Sequence, residues 1–92
     1  MKIFVTGATG FVGANLVRGM AQQAGRRLFA ADLRPPGAHV ERFWASVASP
    51  IQICTVDVTQ AELLYDLVEY HGVTHIIHCA AITPSVSEER DH

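Results

Sequence analysis

The chain has 92 residues, 49% of them hydrophobic and 17% charged, with a formal net charge of −2. This size allows one small domain, and the composition suits a packed α/β core rather than a disordered tail. The seven Lys and Arg residues are scattered without a run, so no basic field argues for a nucleic-acid partner or an anionic membrane surface.

The opening "MKIFVTG" carries one Lys and reaches Gly within seven residues, so it does not read as a signal peptide. No apolar run approaches the length of a membrane span. Cys54 and Cys79 sit in apolar, strand-like runs and read as small buried thiols rather than a disulfide framework. A reducing, cytoplasmic setting is the default expectation.

Ile3-Phe4-Val5 is wholly apolar and ends at Gly7, as expected of a strand covered on both faces. From Phe11 to Ala24 apolar residues recur at helical spacing. Val12, Leu16 and Met20 recur at that spacing with Val17, Ala21 and Ala24 beside them, and Gly25 supplies the stop. Leu28 to Ala31 is the second strand, closed by Asp32, and Pro35-Pro36 cannot continue it. A short helix is expected within Val40–Val47, and a third strand over Ile51–Val56.

Thr59-Gln60-Ala61-Glu62 matches a capping box. The helix behind it turns Leu64, Leu67, Val68 and His71 inward and stops at Gly72. His75 to Cys79 is the fourth strand, and Thr83-Pro84 reads as the start of a last helix. The order is β-α-β-(α)-β-α-β-α, which implies parallel pairing through right-handed crossovers. No linker separates a second domain from this one.

The first turn, Gly7-Ala8-Thr9-Gly10-Phe11-Val12-Gly13, joins a strand to a helix. That is the context in which spaced glycines cradle a dinucleotide pyrophosphate. Gly7 permits the turn, Gly10 lets phosphate approach backbone, and Gly13 lets the helix lie on the strand. The helix N-terminus then favours the phosphate charge. The spacing is G-x-x-G-x-x-G, and no Lys-Ser/Thr follows, so it is not a Walker loop.

Asp32 follows Gly13 by nineteen residues, at the end of the second strand. A carboxylate there accepts from adenosine ribose hydroxyls and repels a 2′-phosphate, favouring NAD. Arg34 close by could flank that phosphate and admit NADP. His39, His71, His75, His78 and His92 show no metal-ligand spacing.

"TGATGFVG" (Thr6 to Gly13), Asp32-Leu33, "DVT" (Asp57 to Thr59) and "HCAA" (His78 to Ala81) together resemble the extended short-chain dehydrogenase/reductase family, in its NAD-dependent epimerase/dehydratase group. The resemblance implies the N-terminal half of a Rossmann-type doubly wound sheet, with strands ordered 3-2-1-4 and the chain truncated after the fourth. It implies a cofactor site made of Gly7, Thr9, Gly10, Phe11, Val12, Asp32, Leu33, Asp57, Val58, Cys79, Ala80 and Ala81. Asp57 and Val58 would flank the adenine, with the Asp57 carboxylate near its amino group. The Cys79-Ala80-Ala81 backbone would pass the ribose. His78 would be structural, and Cys79 stands where the family often has Leu.

Members of this family pair a catalytic Tyr with a Lys four residues on. Here the one lysine, Lys2, precedes both Tyr65 and Tyr70, so these residues contain no such pair and no catalytic residue is assigned. Residues 1–92 are expected to be the cofactor-binding part of an epimerase, dehydratase or dehydrogenase acting by hydride transfer on a sugar-like or nucleotide-sugar hydroxyl. Thr83, Pro84 and Ser85 would lie at the substrate-side mouth. The alternative is a non-catalytic nucleotide-binding or regulatory module that self-associates through the open edge of strand 4.

Overall fold

A computed structural model of the chain describes residues 1–79. Its elements are β1 (Lys2–Thr6), α1 (Phe11–Ala21), β2 (Arg27–Asp32), α2 (Ala38–Phe43), β3 (Ile51–Thr55), α3 (Ala61–His71) and β4 (His75–His78). The strands form one parallel sheet in the order β3-β2-β1-β4. The parallel pairing is what the alternating pattern implies, and the order is that of the doubly wound sheet implied by the resemblance. The expected last helix from Thr83-Pro84 lies outside the described residues. No helix among the described residues is long and apolar enough to cross a membrane.

Period-two alternation along the strands divides the core into two layers. Ile3, Val5, Leu28 and Ala30 face Ala14, Val17 and Ala21 of α1 and Val40 and Trp44 in and after α2. Phe4, Phe29, Ala31 and Cys54 face the other way, against Leu64, Leu67 and Val68 of α3. Phe4 and Phe29 stack with ring centroids 6.4 Å apart, and both are essentially buried. Burying each such ring contributes roughly 2–3 kcal/mol. The indole of Trp44 donates to the Ala14 carbonyl at 3.0 Å, tying the α2 side to the start of α1.

The C-terminus of α3 is held by two basic groups. The Lys2 ammonium donates to the His71 carbonyl at 2.9 Å, and the His71 ring packs 4.6 Å from Phe29. The ammonium sets a positive charge against the negative end of the helix dipole, and the ring contact packs the last turn on the sheet. Gly72 closes the helix with φ +66°, the left-handed cap that glycine adopts without a Cβ penalty.

Three expectations about the helices need correction. First, α1 ends at Ala21, not near Ala24. There the chain tightens, with Gln23 N–H donating to the Met20 carbonyl, and Ser49 N–H takes the Ala21 carbonyl at 2.8 Å. Its buried residues are Gly13, Ala14, Val17 and Ala21, while Val12 is 48% exposed. The small residues face the sheet because the helix lies too close for a large side chain at Gly13. Leu16 and Met20 pack only at the flank.

Second, α2 spans Ala38–Phe43, earlier than the Val40–Val47 window. Gly37, in extended conformation, starts it directly after the Pro35-Pro36 segment. Third, no capping box forms at α3. Gln60 is the N-cap and makes no side-chain cap bond. Thr59 instead turns back, its N–H and hydroxyl both donating to Asp57 Oδ1 at 2.9 and 2.7 Å. An Asp two residues upstream offers a local acceptor that wins over the distant helix amide.

At Gly13 a Cβ would stand 2.1 Å from the Gly7 carbonyl oxygen and 2.9 Å from the Ala8 Cα. Both are backbone atoms, so relief requires moving α1 off β1. Gly13→Ala is therefore expected to destabilise the chain by about 3 kcal/mol or more. Urea unfolding followed by circular dichroism reads this as a large drop in midpoint.

Candidate functional site

In a parallel sheet every strand ends at the same edge. The register pairs Thr6 with Ala31 and with His78, and Asp32 with Thr55. Hence Gly7 to Gly13, Asp32-Leu33, Asp57-Val58 and Cys79 leave the sheet at one rim. Three backbone bonds continue the ladder past the strand ends. Ala8 N–H donates to Ala31 O at 3.1 Å, Val56 N–H to Asp32 O at 2.8 Å, and Cys79 N–H to Thr6 O at 3.0 Å. Ala80 and Ala81 lie outside the described residues.

The glycine turn is tight. Gly7 adopts φ +66° and its carbonyl accepts from Gly10 N–H at 3.2 Å. Gly10 is the N-cap of α1, in extended conformation, with no side-chain cap bond and no acidic residue in the first turn. The first-turn amides therefore face outward with no side chain of the cap competing for them. A Cβ at Gly10 would meet only the Gly7 oxygen at 3.5 Å, an ordinary contact. Packing thus requires glycine at position 13, while at position 10 the protein interior makes no such demand.

Asp32 closes over this turn. Its Oδ2 accepts from Thr9 N–H at 3.0 Å and from the Thr9 hydroxyl at 2.5 Å. Its Oδ1 accepts from Leu33 N–H at 2.8 Å. The strand-end carboxylate and the phosphate-type loop are therefore one hydrogen-bonded unit. Phe11 is 87% exposed and Leu33 61% exposed, so these two apolar site residues stand open at the rim beside Val12.

On the neighbouring strand end, the Thr59 hydroxyl and amide bonds hold the Asp57 carboxyl below its ordinary range, against a smaller opposing effect of burial. Beyond β4, His78 Nδ1 lies 2.7 Å from the buried Thr6 hydroxyl, pinning the ends of β4 and β1 together. Burial raises the pKa values of Cys54 and Cys79, both free thiols. Such thiols are protonated near neutrality and chemically quiet.

A groove of about 450 Å³ adjoins the turn at Thr9, Gly10 and Phe11. Asn15 of α1 and His39, Val40 and Phe43 of α2 form its other wall. Sequence reasoning did not bring Asn15, His39 or Phe43 to the turn. Their proximity depends on how α2 packs, and the Arg18 guanidinium fixes that by lying 4.8 Å over the Phe43 ring and donating to the Phe43 carbonyl. No spacing rule encodes such a contact. Among the described residues no three His, Cys, Asp or Glu side chains gather as a metal site.

The model of the NAD dependent epimerase/dehydratase family matches residues 3–92. The chain belongs to that family. Among solved structures it is similar to a UDP-glucose 4-epimerase from Stenotrophomonas maltophila, determined with bound NAD and formylated UDP-arabinopyranose. That likeness has a TM-score of 0.78 and 25% identity, covering 99% of this chain and 27% of the epimerase. A-type ketoreductases from a modular polyketide synthase share the fold, at TM-score 0.67 and 22% identity over 85% of this chain and 18% of theirs. The chain thus spans about a quarter of the epimerase's length. No curated protein matches the chain in sequence.

Thr59→Ala removes the hydroxyl that donates to Asp57. The Asp57 carboxyl should then titrate at higher pH, closer to an ordinary aspartate, while the parent stays ionised further into acid. Carboxyl-detected NMR titration of the two proteins checks the direction.

Proposed function

We propose that residues 1–92 form the cofactor-binding part of an NAD-dependent epimerase, dehydratase or related oxidoreductase. The carrying observation is the turn itself. The α1 N-terminus has no side-chain cap, and Gly10 is a glycine that packing does not require. A phosphate approaching those amides supplies the missing reason for glycine there, because a side chain at position 10 would stand in its path.

The rest of the rim fits a dinucleotide. Asp32 offers a carboxylate to the adenosine ribose, and its negative charge disfavours a 2′-phosphate, so NAD is the preferred cofactor over NADP. Arg34, exposed after β2, is the one residue in that loop that favours the opposite choice. Phe11, Val12 and Leu33 give apolar surface on which the nucleotide can lie. Asp57 and Val58 stand at the β3 end for the adenine, and Cys79 stands at the β4 end on the ribose side. NAD, when bound, accepts a hydride. The epimerase neighbour holds NAD and a nucleotide sugar, which supports a sugar-like or nucleotide-sugar hydroxyl substrate for the whole protein. The Tyr and Lys that move the substrate proton in the family would come from outside these residues, since Lys2 caps α3.

A second reading rests on β4. Among the described residues this strand pairs only with β1, and Ile76 is 46% exposed at the sheet margin. An open parallel edge can pair with a second copy. A non-catalytic nucleotide-binding module that dimerises through β4 would show a concentration-dependent mass in sedimentation equilibrium. Ile76→Lys would abolish it, whereas a monomer at all concentrations rejects the module reading.

Calorimetry with NAD tests the first reading. Gly10→Val should lose NAD binding while remaining folded, with the thermal midpoint lowered modestly by the poorer N-cap. Binding equal to the parent's would remove the turn from the cofactor site.

A further inference from the structure

The geometry points to Thr9 as the residue that fixes cofactor choice, by holding the Asp32 carboxylate in the orientation that reads the ribose. The inference rests on the NAD reading above and adds to it a positioning residue on the other side of the loop.

A carboxylate has about four acceptor positions. Three are already taken inside the protein. Two lie on Oδ2, filled by the Thr9 amide and hydroxyl, and one lies on Oδ1, filled by the Leu33 amide. One position remains, on Oδ1. A ribose offers two neighbouring hydroxyls, so Asp32 alone can receive only one of them without breaking an existing bond.

The Thr9 hydroxyl supplies the second acceptor. It donates its single proton to Oδ2, which leaves its own lone pairs free. Asp32 Oδ1 and Thr9 Oγ1 then form a pair of acceptors suited to the 2′- and 3′-hydroxyls. A 2′-phosphate has no proton to give Oδ1 at neutral pH, and it meets a carboxylate that cannot swing away. The short hydroxyl–carboxylate bond is of the charge-assisted kind, stronger than a neutral pair. Loop and strand end therefore discriminate together.

The test uses the 92-residue chain, with NAD and NADP as the titrants, in calorimetry of the parent, Thr9→Val and Thr9→Ser. Thr9→Val keeps the size and the backbone amide but removes the hydroxyl. NAD affinity should fall about tenfold, the scale of one charge-assisted hydrogen bond, and the preference for NAD over NADP should fall with it. Thr9→Ser should restore both. Asp32→Ala sets the preference that remains with no carboxylate at all.

Thermal midpoints measured alongside separate positioning from simple support. A lower midpoint in Thr9→Val with an unchanged NAD-to-NADP ratio would overturn the inference, since the bond would then only hold the loop. Failure of Thr9→Ser to restore the ratio would overturn it too. If the parent binds no NAD, or Gly10→Val binds it as well as the parent does, the NAD reading fails first and the inference falls with it.

Discussion

The structure depends on one close approach, that of α1 to the end of β1 at Gly13. With a backbone carbonyl 2.1 Å from where a Cβ would be, no other residue fits that position without moving the helix. This contact puts the α1 N-terminus directly above the sheet's C-terminal rim. It also turns Ala14, Val17 and Ala21 onto the sheet and leaves Val12 half exposed. The left-handed Gly7 makes the turn short enough to deliver the helix there. Once α1 is seated, Thr9 meets Asp32 on the adjacent strand, and loop and strand end become one unit.

The rim gathers chemistry from segments far apart in sequence because parallel strands end together. Thr9 and Asp32 are joined through β1 and β2, Asp57 stands one strand further out, and Cys79 stands on the opposite side of β1. The two layers of the core differ in composition. The α1 face is sealed by small residues and Trp44, while α3 lies on Phe4 and Phe29 with no fully buried residue of its own.

Much of this was legible in the sequence, for identifiable reasons. Parallel pairing followed from the alternation of short apolar runs with helical spacing, which topology rules constrain strongly, and the strand order followed from the family resemblance. Gly7 and Gly13 were legible because each answers a steric demand, a left-handed φ at the first and the close approach of α1 at the second. What was not legible depended on competition between local partners. Thr59 reads from the sequence as part of a capping box, and only the geometry of the turn after β3 makes it a donor to Asp57 instead. Of the apolar residues at helical spacing in α1, Val17 and Ala21 are buried and Leu16 and Met20 pack on the core, while Val12 is half exposed because the close approach at Gly13 sets the helix rotation. Asn15, His39 and Phe43 at the turn were invisible, since their approach is set by Arg18 on Phe43 rather than by spacing.

The central claim is that a dinucleotide sits on the α1 N-terminus and reaches the end of β2. An NMR titration of the ¹⁵N-labelled chain with NAD tests it residue by residue. The account predicts shifts in the amides of Thr9 to Gly13 and of Leu33, with the amides of Tyr65 and Tyr70 on the outer face of α3 unmoved. Saturating shifts confined to α3 or to the β4 edge, with the glycine turn silent, would contradict it.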